Sequence, residues 1–364
     1  MGPPPPALVE DLVEEVLLRL PPSDPALLLR AGLVCKQWRR LVSDVGFCRR
    51  FREFHQSPPM LGFFCNMASN GYGDDHDDYT RFFPTATSSP PLLGNRRRLG
   101  HILDSRHGRV LFHTHPPLPE TKLAIWDPIS DETYPLPAPP QHDTLFTAAV
   151  LCAAAAAPGG VCNHISCYHG PFLVVFVGTH GEQIIASVYS SETSAWSRPA
   201  SSPRDLDEHS HLMPGALMAN VLYFSSDVND RILKFDLVSR ELSGGRRLGL
   251  ATVGEFCRLL VWSREDGPGK DEGPWAQTRA IDLKAVREPF TSHGLEVVGF
   301  ADSVGIVFVA TDVALFSVDL GSGEVKKLAE VCHVISVVPF VSFYTPALGV
   351  GSTGEGPSVG VSSA

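Results

Sequence analysis

Residues 8–22 have the sequence LVEDLVEEVLLRLPP, and residues 33–41 have the sequence LVCKQWRRL. In the first segment, apolar residues at positions 9, 12, 13, 16, 17 and 20 recur at helical intervals, which predicts one apolar stripe along a helix. Acidic residues fill its first half and Arg19 lies near its end, as the helix dipole favours. Pro21 and Pro22 prevent the helix from continuing.

Two further helices are predicted behind this one. Asp24 followed by Pro25 is typical of a helix N-cap with proline at the first helical position, so a helix is expected through residues 26–30. A third apolar stripe has helical spacing at Val34, Trp38, Leu41 and Val42. Three such short helices cannot bury all their apolar faces among themselves, and a surplus apolar face with charged neighbours predicts a partner.

Together the Leu-Pro stop and the Val-Cys-Lys-x-Trp-Arg segment resemble an F-box, the module that binds a Skp-type adaptor of a cullin ubiquitin ligase. The alternative is a helical bundle that packs only on its own chain. The resemblance implies an adaptor interface, although the sequence does not divide its residues between that interface and the module's own core. The candidate contacts are Leu8, Leu12, Val16, Leu20, Pro21, Leu28, Val34 and Trp38.

Composition narrows the possible partners of the rest of the chain. The 364 residues are 43% hydrophobic and 19% charged, the balance of a folded protein with room for about two domains. The formal charge is −10; residues 1–55 hold 8 Lys/Arg and 7 Asp/Glu, so the remainder holds 22 against 33, or −11. An acidic large domain argues against nucleic acid or an anionic membrane as its main ligand.

The chain is expected to be soluble and intracellular, in the cytoplasm and/or the nucleus. The Pro-rich start lacks the charged and apolar regions of a signal peptide, and the longest apolar run, residues 145–157, is shorter than the roughly 20 residues that span a bilayer. The eight cysteines show no disulfide-framework spacing, which favours free thiols in a reducing compartment.

From about Pro59 the pattern becomes strand-like, and a weak repeat places Asp after apolar strand residues, clearest at Asp127, Asp236 and Asp319. The spacings between these repeat positions are irregular, but they centre near the length of a propeller blade, roughly 40–50 residues. A mainly β fold is therefore expected behind the small all-α module, as a β-propeller of about six blades. The alternative is a pair of β-sandwiches. Residues 61–64 and 335–344 are expected to pair and close the ring.

Four segments resemble the associated domain of plant F-box proteins, which implies a kelch-like propeller and leaves the target open. They are residues 60–64, 170–176, 189–193 with Trp196, and 343–346. The expected organisation is a disordered leader (1–7), an F-box of three helices (8–46), a connecting helix (47–58), the propeller (59–346) and a disordered tail (347–364). Phe47, Phe51 and Phe54 are expected to anchor the connecting helix on the first blade.

One segment carries metal-ligand residue types: Cys162, His164, Cys167 and His169. In an extended chain the first pair and the second pair differ in parity and lie on opposite faces, so no metal is predicted there. Residues 74–78 have the charge but not the spacing of a calcium loop. No nucleophile elbow or phosphate-binding loop is present, the tryptophans are expected in blade cores, and no cofactor is predicted.

The predicted function is that of the substrate-recognition subunit of a Skp–cullin–F-box ubiquitin ligase. The F-box would bind the adaptor and, through it, the cullin, while the propeller would hold an unknown protein target. The protein would not itself catalyse a reaction. Two alternatives stay open: an F-box scaffold or binding protein that acts outside a ligase, and a propeller enzyme of the kelch type.

Overall fold

The computed structural model describes residues 10–68, 79–85, 100–114, 122–140, 142–143, 145–156, 162, 164, 167, 170–204, 212, 216–218, 220–225, 231–246, 250–254, 258–264, 275–283, 295–301 and 304–344. The expected leader, Leu8, the acidic loop at 74–78, His169 and the expected tail lie outside these residues. No helix within them is both long enough and apolar enough to cross a membrane.

The chain begins with four helices: α1 (Glu10–Leu18), α2 (Pro25–Val34), α3 (Lys36–Val42) and α4 (Val45–His55). The predicted N-cap at Asp24 is present, since its Oδ1 accepts a hydrogen bond of 3.2 Å from the backbone N–H of Ala26. Asp44 caps α4 in the same way, accepting from the N–H of Phe47 at 3.0 Å. The predicted connecting helix therefore begins two residues earlier than expected, at Val45.

The four helices share one apolar core, which α4 completes. Its buried members are Val13, Leu17, Leu18, Leu28, Ala31, Val42, Phe47, Phe51 and Phe343. Phe343 follows the last strand of the chain, and its ring meets that of Phe51 edge-on, with the ring centres 6.3 Å apart. On another side of the module, Leu29 packs against a propeller core that contains Phe64 and Trp126. The helices are thus seated on the propeller.

This packing corrects the expected role of the three phenylalanines of α4. Phe47 and Phe51 are fully buried, but they lie in the helical core and reach the propeller through Phe343 rather than through the first blade. Phe54 is exposed. Residues 47, 51 and 54 have the spacing i, i+4 and i+7 and share one face of α4, so periodicity does not explain the difference. Phe54 lies in the last turn of the helix and is not a member of the helical core.

The rest of the described chain is β-structure. The strands are β1 (Met60–Met67), β2 (Tyr79–Pro84), β3 (His101–Arg106), β4 (Arg109–Thr114), β5 (Lys122–Asp127), β6 (Glu132–Pro135), β7 (Phe146–Cys152), β8 (Phe172–His180), β9 (Gln183–Ser190), β10 (Ala195–Trp196), β11 (Ala200–Pro203), β12 (Ala216–Met218), β13 (Val221–Ser225), β14 (Arg231–Asp236), β15 (Leu242–Arg246), β16 (Leu250–Gly254), β17 (Arg258–Arg264), β18 (Trp275–Asp282), β19 (Glu296–Ala301), β20 (Ile306–Ala310), β21 (Leu315–Asp319), β22 (Val325–Ala329) and β23 (Val334–Val341).

Five antiparallel sheets are each formed from strands that are consecutive in the described sequence: β3–β6, β7–β11, β12–β15, β16–β18 and β19–β22. A sixth sheet has the order β2-β1-β23 and therefore joins the two ends of the β region. Neighbouring sheets contact each other, with β23 contacting both β19 and β3, β3 contacting β7, β11 contacting β15, and β16 contacting β19. The expected mainly β propeller behind a helical module is confirmed.

The closing sheet has the strand pairing predicted from the two apolar ends. β1 and β23 run antiparallel, with Phe63 opposite Pro339, Phe64 opposite Val338 and Cys65 opposite Val337. Each strand would otherwise be an edge with unpaired N–H and C=O groups, which favours aggregation. Closure by the C-terminal strand removes that edge.

The predicted turn chemistry is found at the strand ends occupied by Asp127, Asp236 and Asp319. Oδ1 of Asp236 accepts hydrogen bonds of 2.8 Å from the backbone N–H groups of both Val238 and Ser239. These bonds favour the charged carboxylate, so the pKa of Asp236 is lowered. The repeated Asp of the sequence is therefore a turn-forming residue.

Candidate functional site

The apolar stripe of α1 is divided between two directions. Val13 and Leu17 are buried in the helical core, where Leu17 is 2% exposed. Leu12 and Val16, one helical turn apart, are 55% and 60% exposed. The stripe is therefore wider than its own core needs, and its outer edge lies in solvent.

α2 is divided in the same way. Leu28 is buried in the helical core and Leu29 packs on the propeller, whereas Leu33 and Val34, at the end of the helix, are 84% and 65% exposed. α2 ends at Cys35. The Sγ of this residue accepts a hydrogen bond from the backbone N–H of Trp38 and so caps the start of α3. Two apolar side chains thus lie at the corner between α2 and α3 and are not covered by the described residues.

The structure separates seven of the eight candidate adaptor residues into three groups. Those exposed to solvent are Leu12, Val16, Pro21 and Val34. Leu20 and Trp38 are half-buried against the helical core, and Leu28 is part of that core, so a partner could not touch its side chain while the module stays folded. Leu8 lies outside the described residues. Sequence periodicity missed Leu33, Val45 and Phe54, because exposure depends on the angles between helices.

Exposed apolar residues are concentrated on these helices. Six of the eleven large apolar side chains exposed among the described residues belong to them: Leu12, Val16, Leu33, Val34, Val45 and Phe54. Exposed charges lie close by along the chain, including Asp11 and Glu15 on α1 and Arg39 and Arg40 on α3. An apolar surface with a charged rim is typical of a protein–protein interface. We refer to Leu12 and Val16 on α1 together with Leu33 and Val34 at the end of α2 as the apolar patch, a set defined by exposure and not by mutual contact.

A second cluster of functional side chains lies on the propeller, around the connection between β7 and β8. The Sγ atoms of Cys152, Cys162 and Cys167 and a ring nitrogen of His164 all lie within 4.8 Å of one another. Cys152 is the last residue of β7, and the other three belong to the connection, residues 153–171. Within the part of the chain that the structure describes, this is the one group of three or more His, Cys, Asp or Glu residues with metal-binding geometry.

The prediction that Cys162 and His164 lie on the opposite face from Cys167 is wrong, because the segment is not extended. His164 has a left-handed backbone with φ of 55°, and the C=O of Cys167 accepts a hydrogen bond of 2.9 Å from the N–H of Gly170. Parity arguments hold only along a strand. Sequence reasoning also missed Cys152, which is brought to the cluster by the pairing of β7 with β8, where it stands opposite Phe172.

Residues of the neighbouring sheet cover this thiol cluster. The His107 and His164 rings stack with their centres 4.0 Å apart, and burial together with His164 and nearby arginines lowers the pKa of His107 to about 3. The Arg109 guanidinium donates to the carbonyl oxygens of Cys167 and Gly170, at 3.2 and 2.5 Å. Burial, with additional effects from the other two thiols, raises the pKa of Cys167 to about 12.

Comparisons with known proteins identify the helical module. The family model of the F-box domain matches residues 6–50, which include α1–α3 and the first part of α4. No curated protein matches the chain.

Solved structures resemble it in outline. A crystal structure described as a putative 6-phosphogluconolactonase from Bacteroides fragilis is 8% identical with a TM-score of 0.36, and covers 76% of this chain and 97% of its own. A nidogen/laminin complex is 10% identical with a TM-score of 0.38, and the match covers 76% of this chain and 98% of that structure's chain. The WD40 domain of SCAP from fission yeast is 14% identical with a TM-score of 0.33, and the match covers 65% of this chain and 52% of that structure's chain. These scores are too low to indicate function.

Proposed function

We propose that the protein is the substrate-recognition subunit of a Skp–cullin–F-box ubiquitin ligase. The F-box would bind a Skp-type adaptor through the apolar patch, and the propeller would bind a protein target. The protein would act without catalysis of its own, in the cytoplasm and/or the nucleus. The observation that carries the proposal is the apolar patch on helices that match the F-box domain.

The patch supports adaptor binding on energetic grounds. An apolar side chain the size of leucine gains about 1.5–3 kcal/mol when it moves from water into a fully buried site. Leu12, Val16, Leu33 and Val34 are mostly exposed in the free chain, so that gain is still available to a partner. In the alternative, a bundle packed only on its own chain, these four side chains are left uncovered by the residues that the structure describes.

The seating of the helices on the propeller supports the role of the whole chain. Phe343 completes the helical core and Leu29 packs on a blade core, so the F-box has a fixed orientation relative to the propeller. A rigid connection would hold a bound target at a defined distance from the ubiquitin-conjugating enzyme and raise the effective concentration of its lysines there. A flexible tether would give a weaker effect.

The decisive experiment replaces the exposed edge of α1 and leaves its buried edge intact. In the double variant Leu12→Glu/Val16→Lys, both new residues favour helices and form an i, i+4 pair, so α1 should remain folded. Both charges would have to be buried against the adaptor, which should lower adaptor affinity at least about a hundredfold. The measurement is co-purification of the full chain with a Skp-type adaptor, followed by titration.

The matched control is Val313→Lys, which places a charge on an apolar residue of the propeller that is 48% exposed. This control should bind the adaptor like the wild type. If the double variant binds adaptor at wild-type affinity while melting at the wild-type temperature, the adaptor-binding proposal is wrong. If the wild type binds adaptor but never brings cullin with it, the protein is an F-box scaffold outside a ligase.

A further inference from the structure

We propose that Cys152, Cys162, His164 and Cys167 form a structural zinc site that fastens the β7–β8 connection to the propeller. This inference is independent of the proposed function, because the cluster belongs to the β region and not to the helices. It replaces the metal-free prediction that was based on an extended segment.

Two of the six distances between the ligand atoms match those around a tetrahedral zinc ion, and the others are no longer than 4.8 Å. Zn–S bonds of about 2.3 Å and Zn–N bonds of about 2.0–2.1 Å place tetrahedral ligands about 3.8 Å apart for two sulfurs and about 3.5 Å apart for sulfur and nitrogen. The Sγ atoms of Cys152 and Cys162 are 3.8 Å apart. The Sγ of Cys167 and Nδ1 of His164 are 3.5 Å apart. All four ligand atoms lie within 4.8 Å of one another.

A disulfide does not account for this arrangement. Bonded sulfurs are about 2.0 Å apart, well below the 3.8 Å between Cys152 and Cys162. A disulfide would also use only two of the four residues and leave Cys167 and His164 without a role. Three thiols and one imidazole around a common centre are instead a Cys3His set, a recurrent combination in structural zinc sites. Because the protein supplies all four ligands, no position is left for substrate or water.

Groups around the cluster suit a bound ion of this kind. The backbone N–H of His164 donates a hydrogen bond of 3.4 Å to the Sγ of Cys162, and such outer contacts orient metal ligands and stabilise thiolates. Three thiolates and one neutral imidazole around Zn²⁺ leave one net negative charge. The buried Arg109 beside the cluster carries the opposite charge, and its Nη1 makes no hydrogen bond to the described residues.

The position of the cluster indicates what the ion would do. Cys152 ends β7, whereas the other ligands lie in the connection of residues 153–171, which is long for a link between two adjacent strands. One zinc ion would join residues 162, 164 and 167 of this connection to Cys152 at the end of β7. Arg109 and His107, from the neighbouring sheet, pack on the closed connection through the Cys167 carbonyl and the His164 ring. The site would therefore fix the surface between two adjacent sheets.

The test measures metal in the full chain, purified in reducing buffer without chelator. Elemental analysis should find about one zinc per chain. Cys152→Ser and His164→Asn should each lower the zinc content roughly tenfold or more; asparagine is chosen at 164 because it tolerates the left-handed backbone there. The control Cys332→Ser changes a half-buried cysteine away from the cluster and should keep the zinc.

A second measurement does not depend on how the variants fold. Wild-type protein stripped of metal and reconstituted with Co²⁺ should show the absorption of a tetrahedral thiolate site, and removal of metal should lower its melting temperature. The proposal is overturned if the purified wild type holds no stoichiometric metal, if Cys152 and Cys162 are joined in a disulfide, or if zinc stays bound in both cluster variants. It is also overturned if Co²⁺ binds without a tetrahedral thiolate spectrum.

Discussion

Individual residues of the same type have opposite roles in this chain because their burial differs. Leu12 and Leu17 occupy one helix, yet Leu12 is exposed and Leu17 belongs to the helical core. The cysteines differ in the same way. Cys35 is exposed at the α2–α3 corner next to Val34, whereas Cys65 is buried in the closing sheet, and burial raises its pKa to about 12, an effect that Arg81 only partly offsets.

This contrast predicts a pattern of thiol alkylation. The thiolate is the reactive form, so at pH 8 the raised pKa keeps Cys65 protonated, and its full burial keeps the reagent away from it. Cys35 should be alkylated readily by iodoacetamide in the free protein, and peptide mass spectrometry measures both sites. Saturation with adaptor should protect Cys35 and leave Cys65 unchanged. Equal labelling of Cys35 with and without adaptor would contradict an interface at this corner.

The sequence predicted the apolar stripes of the helices but could not assign each residue to the core or to the interface. Both environments select apolar side chains, and the difference between Val13 and Val16 arises only from how α1 lies against its neighbours. The thiol cluster was missed for a related reason. Cys152 meets Cys162 because two strands pair and a turn reverses the chain, and neither event leaves a local motif.

At the level of elements, the C-terminal strand has two structural roles. β23 closes the propeller by pairing with β1, and the residues that follow it, Phe343 and Tyr344, enter the helical core and a blade core respectively. Apolar content and the need to remove strand edges predicted the first role. The second could not be predicted, because nothing local relates Phe343 to Phe51, which is close in space but far away in the sequence.

Removal of the Phe343 ring should weaken the attachment of the helical module to the propeller. Phe343→Ala removes a buried ring from the contact between the helices and the propeller. It should lower the free energy of unfolding by about 3–5 kcal/mol. Limited proteolysis should then cut the link at residues 56–59 faster than in the wild type. The matched control is Phe300→Ala, since Phe300 is 47% exposed. Equal proteolysis and equal melting temperatures for the two variants would show that Phe343 does not anchor the helices.

For the whole molecule, the order of the sheets makes its stability depend on both ends of the β region. Five sheets are each formed from consecutive strands, but the sixth needs β1 and β2 from one end and β23 from the other. β23 also contacts both neighbouring sheets, through β19 and β3. Gly299 of β19 lies at one of these contacts between sheets. A Cβ at this position would overlap the carbonyl oxygen of Val337 in β23.

Truncation of the chain tests this closure. Ending the protein after Ser336 removes the β23 residues opposite Gly62–Cys65, together with the buried side chains of Val337, Val338 and Phe340. β1 would become an exposed edge and three core clusters would lose members, so this protein should be insoluble or melt without cooperativity. Ending the chain after Ala347 keeps β23 with Phe343 and Tyr344, and should leave the melting temperature unchanged. Parallel expression and thermal melts of both truncated proteins measure the difference. A soluble product from the shorter chain that melts cooperatively would show that β23 is dispensable and that the ring does not depend on its closure.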